Sequence, residues 1–180
     1  PLYSSAASDV YKRQELEYIE ILYEKGLFKQ CEKIIQKAKV VAVKHEAFPF
    51  VLEIFKWEIL IMGANSYVGI TKEEVKKLYA FADENADKYK NENAFKYFIS
   101  VLAYKRKETK FMREDKDRKG GGEIQKSSFL KKEALARSSS ALSLFYQFHC
   151  FNYYDQQNVH KSLEYSGKLV GLLETNSQQV

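Results

Sequence analysis

The sequence contains few of the residues that interrupt helices or carry covalent and metal chemistry. Its 180 residues include two prolines, eight glycines, two cysteines and three histidines. Cys31 and Cys150 are far apart and belong to no CxxC or Cys/His cluster, which argues against a zinc site and against a disulfide framework. We therefore expect no metal site and no cofactor, and the scarcity of proline favours long helices.

Long hydrophobic runs are also missing. The most apolar stretch, AFPFVLEIFKWEILIMG at residues 47–63, is interrupted by Glu53, Lys56 and Glu58. It is too polar for a membrane span, which needs about 20 mostly apolar residues. Residues 1–14 lack the apolar core of a secretory signal peptide. These features predict no membrane span and a cytoplasmic protein.

The first fourteen residues differ from everything that follows, because they are small and polar and show no hydrophobic period. Residues 4–14, SSAASDVYKRQ, resemble the in-frame translation of a transposase-type sequencing adapter, with agreement at every position. We therefore interpret residues 1–14 as a non-native segment and exclude them from the expected fold. On this interpretation the native start is missing, and the chain is a fragment of a longer protein.

Positive charge is concentrated in one place. The net charge is +5, and residues 105–119 contain eight basic and four acidic residues, which contribute +4. A nucleic-acid-binding or regulatory helical module that uses this run is the alternative hypothesis for function. The interspersed acidic residues and the lack of interleaved aromatics argue against nucleic acid as the partner.

Apolar residues recur at helical spacing along almost the whole chain, which predicts about six to seven helices. Thr71 and Glu74 form the pattern of a capping box at the start of one of them. A turn is expected at residues 91–93, with one long uninterrupted helix as the alternative. The predicted helices cover residues 15–25, 28–45, 47–62, 71–89, 91–112, 129–154 and 159–173.

The helices fall into three predicted regions. Residues 15–112 form N-terminal helical repeats. Residues 113–128, with their charges and three consecutive glycines, form a linker. Residues 129–180 form a C-terminal helical hairpin of the same domain.

Two segments carry a shared repeat pattern. ILYEKGLFKQCEKIIQKA has a glycine turn, an aromatic residue two positions later, and then small, large and small residues at helical spacing. These positions are Gly26, Phe28, Cys31, Ile35 and Ala38. The pattern resembles the tetratricopeptide (TPR) repeat, in which small residues let paired helices approach closely. The second segment, YYDQQNVHKSLEYSGKL, is a degenerate version, and the general organisation is similar to that of bacterial TPR-like proteins.

The resemblance implies an all-α fold of antiparallel helix pairs stacked as a right-handed solenoid. It also implies a non-catalytic protein–protein interaction scaffold whose partner is an unknown protein or peptide. In TPR-like proteins the first helix of each pair lines a concave groove. Transferred by turn position, the candidate partner groove consists of Glu20, Tyr23, Glu24, Leu144, Gln147, Phe151 and Tyr154.

We do not expect an enzyme. The one candidate nucleophile pair is His149 and Cys150, but adjacent helical residues point about 100° apart and do not face one partner together. A packed histidine beside a core cysteine is the simpler interpretation.

Overall fold

The computed structural model describes residues 2–111 and 130–177, with side chains for residues 12–107 and 130–176. Within these ranges the chain forms six α-helices, one 3-10 turn at Glu133–Leu135 and no strand, so the predicted all-α class is confirmed. The predicted linker at residues 113–128 lies outside the described residues. The helices are α1 (Leu2–Glu24), α2 (Phe28–Lys44), α3 (Phe48–Ala64), α4 (Lys72–Phe111), α5 (Ser139–Asp155) and α6 (Val159–Ser177).

Helix α1 begins earlier than the apolar pattern predicts. It starts at Leu2 rather than at Glu15, so residues 2–14 are helical. No glycine or proline lies between Leu2 and Glu24, and the alanines in this stretch are strong helix formers. Local propensity can therefore extend the helix without an apolar period.

Four helix ends share one turn geometry. Gly26, Glu46, Ser66 and Gln157 each have a positive φ, of 69°, 50°, 51° and 58°. At each, the N–H of the positive-φ residue bonds to the carbonyl three residues back, and the next N–H bonds to a carbonyl five residues back. This is the Schellman arrangement that satisfies the last carbonyls of a helix. Only the first of these turns has a glycine at its positive-φ position. The junction at Glu46 lacks that glycine, so the repeat pattern cannot be recognised there in the sequence.

The start of α4 is confirmed as a capping box. The Thr71 hydroxyl accepts from the Glu74 N–H at 3.2 Å, while the Glu74 carboxylate accepts from the Thr71 N–H at 2.7 Å. These bonds hold the pKa of Glu74 below its usual value. The reciprocal bonds satisfy backbone donors that the first helical turn leaves without partners.

The turn predicted at residues 91–93 is wrong, because α4 is one uninterrupted helix of 40 residues. Asparagine favours turns when its side chain bonds to neighbouring backbone. The Asn91 amide instead bonds to Leu135 and Arg137, more than forty residues away. Because the Asn91 side chain does not bond to neighbouring backbone, and no glycine or proline lies within residues 72–111, the backbone stays helical.

The chain divides into two compact units, Pro1–Tyr89 (unit 1) and Lys90–Val180 (unit 2), and the division falls inside α4. The core of unit 1 is built by α1, α2 and α3. On α2 its residues recur at helical spacing, and Pro49 is accommodated in the first turn of α3. The buried core residues of unit 1 are Ile19, Cys31, Ile35, Ala38, Ala42, Phe50, Val51, Ile54 and Ile61.

The core of unit 2 is richer in aromatic rings. It joins the later part of α4 to α5, to α6 and to the segment before α5. Its buried residues are Phe95, Leu102, Leu130, Ala141, Phe145, Tyr146 and Phe148. The rings of Phe95 and Phe145 meet edge to face, with their centroids 6.1 Å apart. Aromatic pairs prefer this geometry.

The helix predicted from residue 129 starts ten residues later. Helix α5 begins at Ser139, and Ser138 is its N-cap, with its hydroxyl accepting from the Ala141 N–H at 3.0 Å. Residues 130–137 instead form a bent and partly extended segment with the short 3-10 turn. Serine at an N-cap stops the helix from extending backward, because its own dihedral angles are extended.

Candidate functional site

The N-terminal part of the predicted groove supplies two exposed carboxylates and one packed ring. Glu20 and Glu24 are exposed, whereas Tyr23 is half-buried. The Tyr23 ring lies 5.5 Å from Phe28 and 5.6 Å from Trp57, measured between centroids. Tyr23 therefore contributes to the core of unit 1 more than to a surface that a partner could reach.

The repeat-signature residues lie at the α1–α2 junction of unit 1. Gly26 makes the turn, and Phe28 starts α2 half-buried. Cys31, Ile35 and Ala38 are buried in the core. The Cys31 thiol lies 3.6 Å from the Ile19 carbonyl oxygen, and burial raises the pKa of this thiol.

The C-terminal part of the predicted groove lies on α5 in unit 2, so the two parts belong to different units. Leu144 and Gln147 are half-buried, and Leu144 packs against the core. Phe151 and Tyr154 are exposed, Tyr154 to 68%. These two rings follow each other on the last turn of α5, at a spacing of three residues that places them on one helix face.

Phe151 is held from one side by a cation. The Arg106 guanidinium lies 4.7 Å from the centre of the Phe151 ring. Its Nε donates to both oxygens of Asp155 at 2.9 and 2.7 Å, and its Nη2 donates to the Phe151 carbonyl at 2.9 Å. This contact ties α4 to the carboxyl end of α5, where a positive charge is favoured by the helix dipole.

Helix α6 carries an exposed apolar row beside the row that packs in the core. Ser162, Leu169 and Leu172 turn inward, with Tyr165 half-buried beside them. The exposed residues are displaced by about 100° around the helix, and Leu163 among them is 67% exposed. The helical spacing of these residues is readable in the sequence, but it does not reveal which of two adjacent rows faces inward. We call the exposed row the α6 stripe; it consists of Val159, Leu163, Val170 and Leu173.

The α6 stripe and the exposed rings of α5 lie on the two arms of one hairpin. The register is set by two contacts: the Ser162 hydroxyl donates to the Cys150 carbonyl at 3.0 Å, and Ser139 bonds to Asn176 at 3.2 Å. The turn between the arms has Tyr154 on one side and Val159 on the other. Both arms of the hairpin therefore carry exposed apolar side chains.

His149 lies inside an aromatic cage. Its ring stacks on Tyr165 at 4.8 Å and on Tyr153 at 5.9 Å, and it meets Phe145 edge to face at 4.4 Å. The Nε2 atom lies 3.0 Å from the Leu130 carbonyl, which accepts, so Nε2 carries the proton. Burial lowers the pKa of His149, and the buried Nδ1 atom has no hydrogen-bond partner. The ring is therefore neutral near pH 7.

Beside this cage, Glu133 holds together three elements of unit 2. Its carboxylate accepts from Lys168 at 2.8 Å and from the Tyr146 hydroxyl at 3.1 Å. The bond from Lys168 lowers the pKa of Glu133 and raises that of Lys168. Burial and the bond to Glu133 raise the pKa of the Tyr146 hydroxyl. None of these residues was singled out by the sequence pattern.

The pair His149 and Cys150 does not converge on a common partner. His149 contacts Leu130, while the Cys150 thiol lies 3.7 Å from the Ser162 hydroxyl. In the part of the chain described here, no group of three or more His, Cys, Asp or Glu side chains is placed to hold a metal ion. None of the helices within residues 2–111 and 130–177 has the length and apolar character needed to cross a membrane.

A comparison with protein-family models, with curated proteins and with solved structures finds no match to this chain. The surfaces of the two units are therefore the basis for a proposed function.

Proposed function

We propose that this chain is a non-catalytic protein-binding scaffold of stacked, TPR-like helix pairs, and that the α5–α6 hairpin presents its main binding surface. The observation that carries the proposal is the α6 stripe. Leu163 and Val170 are aliphatic side chains that are exposed to solvent. The adjacent row of α6, which includes Leu169, packs in the core instead. Exposed apolar patches of this kind mark interaction sites more often than they mark neutral surface.

The ligand that this surface fits is an amphipathic helix. The stripe residues are separated by four, seven and three positions, which keeps them on one face of α6 and matches the spacing with which one helix packs along another. Phe151 and Tyr154 add aromatic rings at the end of the hairpin, and aromatic side chains are enriched among residues that dominate binding energy.

Few of the described contacts favour the alternative that uses the basic run at residues 105–119. Arg106 is already bonded to Asp155 and stacked on Phe151. Residues 108–119 lie outside the described side chains. Salt separates the two hypotheses, because binding through phosphate contacts weakens steeply as salt rises, whereas apolar helix packing does not.

The experiment is selection of a helical peptide library on the wild-type protein, with counter-selection on the double variant Leu163→Glu/Val170→Glu. We expect enriched peptides with apolar residues at i, i+3, i+4 and i+7, at least tenfold weaker binding to the double variant, and little change between 0.1 and 0.5 M salt. A loss of about 1.4 kcal/mol corresponds to that factor of ten.

The matched control is Val40→Glu, which places the same charge at an exposed valine of α2. Binding should be unchanged in this variant. Peptides that bind the double variant as tightly as the wild-type protein would contradict the proposal.

A further inference from the structure

Residues 130–137 lie across α4, α5 and α6 of unit 2 with little regular structure of their own. The dihedral angles at both ends of the 3-10 turn are extended, with φ −141° and ψ 130° at Lys132 and φ −78° and ψ 116° at Ala136. Side chains of all three helices bond to this segment, and in two cases they bond to its backbone. The arrangement is that of a peptide held in a helical groove.

Asn91 of α4 makes two hydrogen bonds to the backbone of the segment. Its Nδ2 donates to the Leu135 carbonyl at 3.0 Å, and its Oδ1 accepts from the Arg137 N–H at 2.9 Å. Asn91 is 7% exposed, so its amide has little access to water. The Leu135 carbonyl and the Arg137 N–H point to the same side because Ala136 between them is extended, as in a β-strand. The amide therefore recognises backbone conformation, independent of the side chains at those positions.

His149 of α5 makes the second backbone contact. Its Nε2–H donates to the Leu130 carbonyl at 3.0 Å. The Leu130 side chain is 6% exposed and packs in the core of unit 2. This position therefore combines a backbone bond with an apolar pocket, the pair of features that anchors a bound peptide residue.

Lys168 of α6 supplies charge selectivity. It bonds to Glu133 at 2.8 Å, and the Tyr146 hydroxyl donates to the same carboxylate. An acidic side chain three residues after the apolar anchor thus meets one cation and one neutral donor. A lysine or an apolar residue at that position would remove this 2.8 Å bond and leave Lys168 paired with Glu164 at 3.6 Å.

We propose that α4, α5 and α6 form a binding groove for an extended peptide of another protein, and that residues 130–137 are its intramolecular occupant. The ligand pattern is an apolar anchor, a glutamate three positions later, and an extended residue at the sixth position, flanked by a carbonyl at the fifth and an N–H at the seventh that both bond to Asn91. The site is distinct from the α5–α6 surface proposed above, because it is defined by Asn91, His149 and Lys168 and needs no residue of the α6 stripe.

The test uses a labelled nine-residue peptide, LKKEALARS, which reproduces residues 130–138. The receiving protein is the full chain with Leu130→Ser and Glu133→Ala, two changes that weaken the intramolecular occupant. We expect saturable binding to this variant at least tenfold tighter than to the wild-type chain. A tethered occupant competes at an effective concentration that is roughly millimolar, so the wild-type groove is mostly filled.

Three controls identify the groove. Adding Asn91→Ala or Lys168→Ala to the receiving variant should weaken peptide binding at least tenfold, while adding Leu163→Glu should leave it unchanged. A peptide with serine and alanine in place of its leucine anchor and glutamate should not bind. Equal binding of both peptides, or no binding to a receiving variant that retains its tyrosine near-UV circular dichroism, would overturn the proposal.

If the receiving variant fails to fold, hydrogen exchange of the intact protein tests the proposal instead. In the single variant Asn91→Ala, residues 130–137 should exchange at least tenfold faster while α5 and α6 keep their protection. Loss of protection in α5 and α6 together with the segment would make residues 130–137 part of the core and overturn the proposal. Wild-type dimers that Glu133→Ala abolishes would assign the groove to a second copy's segment and would also overturn it.

Discussion

At the scale of single residues, the depth of burial sets the cost of removing a ring. Phe28 is half-buried at the start of α2, with its ring 5.5 Å from Tyr23. We expect Phe28→Ala to lower the free energy of unfolding by about 2 kcal/mol, less than the 3–5 kcal/mol of a fully buried phenylalanine. The control is Phe95→Ala in unit 2, where the ring is 0% exposed and the full cost is expected. Denaturant titrations that give equal losses for both variants would contradict this difference.

His149 should make stability depend on pH in a narrow window. Burial lowers its pKa in the folded protein below the ordinary value of 6.5. As the pH falls, the unfolded chain therefore binds a proton at His149 more readily than the folded chain does. The contribution of His149 to the free energy of unfolding is fully present above about pH 6.5 and decreases below it. The groups that face the ring are Glu133 and Lys168, with the rings of Tyr153 and Tyr165.

The measurement is the free energy of unfolding between pH 7.5 and 5.0 for the wild-type protein and for His149→Phe, which keeps an aromatic ring in the cage but does not titrate. We expect a decline in the wild-type protein that the variant lacks. The lowered pKa of Glu133 acts in a different window, because its contribution is lost only as the pH falls below about 4.5. An identical pH profile in both proteins would show that His149 does not titrate differently on folding.

At the scale of helices and turns, the same substitution should have opposite signs at two glycines. A Cβ added at Gly26 or at Gly167 meets no atom within 4 Å, so space does not distinguish them. Gly26 has a φ of +69°, which costs an alanine about 1 kcal/mol. Gly167 lies inside α6, where alanine is favoured by about 0.5–1 kcal/mol.

We therefore expect Gly26→Ala to lower the melting temperature and Gly167→Ala to raise it. Gln157 adds a third case, since its φ of +58° should make Gln157→Gly stabilising. Thermal unfolding followed by circular dichroism measures all three. A lower melting temperature for Gly167→Ala would mean that the exposed face of α6 is not open to a methyl group.

The continuity of α4 can be tested with proline. Asn93 is exposed in the interior of the helix, and Asn93→Pro should cost about 3 kcal/mol because proline removes a backbone bond and clashes with the preceding turn. Lys72→Pro is the control: Lys72 is the first residue of α4, where proline is well tolerated. If residues 91–93 formed a turn instead, the two variants would be similarly stable in denaturant titration.

At the scale of the whole molecule, residues 2–14 extend α1 beyond the amphipathic pattern that begins at Glu15. The described α1 side chains that pack in unit 1 begin at Leu16. Deleting residues 1–14 should therefore reduce the helical circular dichroism signal while the melting temperature stays within about 2 °C. Deleting residues 1–19, which also removes the buried Ile19, should lower it clearly. A large fall after the shorter deletion would show that residues 1–14 stabilise unit 1.

The sequence alone determined the features that depend on neighbours within one or two helical turns. The α1–α2 junction follows from Gly26, the start of α4 from Thr71 and Glu74, and the inward row of α2 from its helical spacing. Each of these depends on backbone sterics or on bonds between residues three or four positions apart, which are readable without knowledge of the fold.

Only the tertiary structure decided the features that depend on distant partners. Asn91 favours a turn until its amide bonds to backbone 44 residues away, and His149 acquires its cage only when α6 packs against α5. On α6, Leu169 and Val170 are equally apolar, yet one packs inward and the other is exposed. The physical reason is that burial and polar satisfaction belong to pairs of surfaces, whereas a sequence pattern describes only one member of each pair.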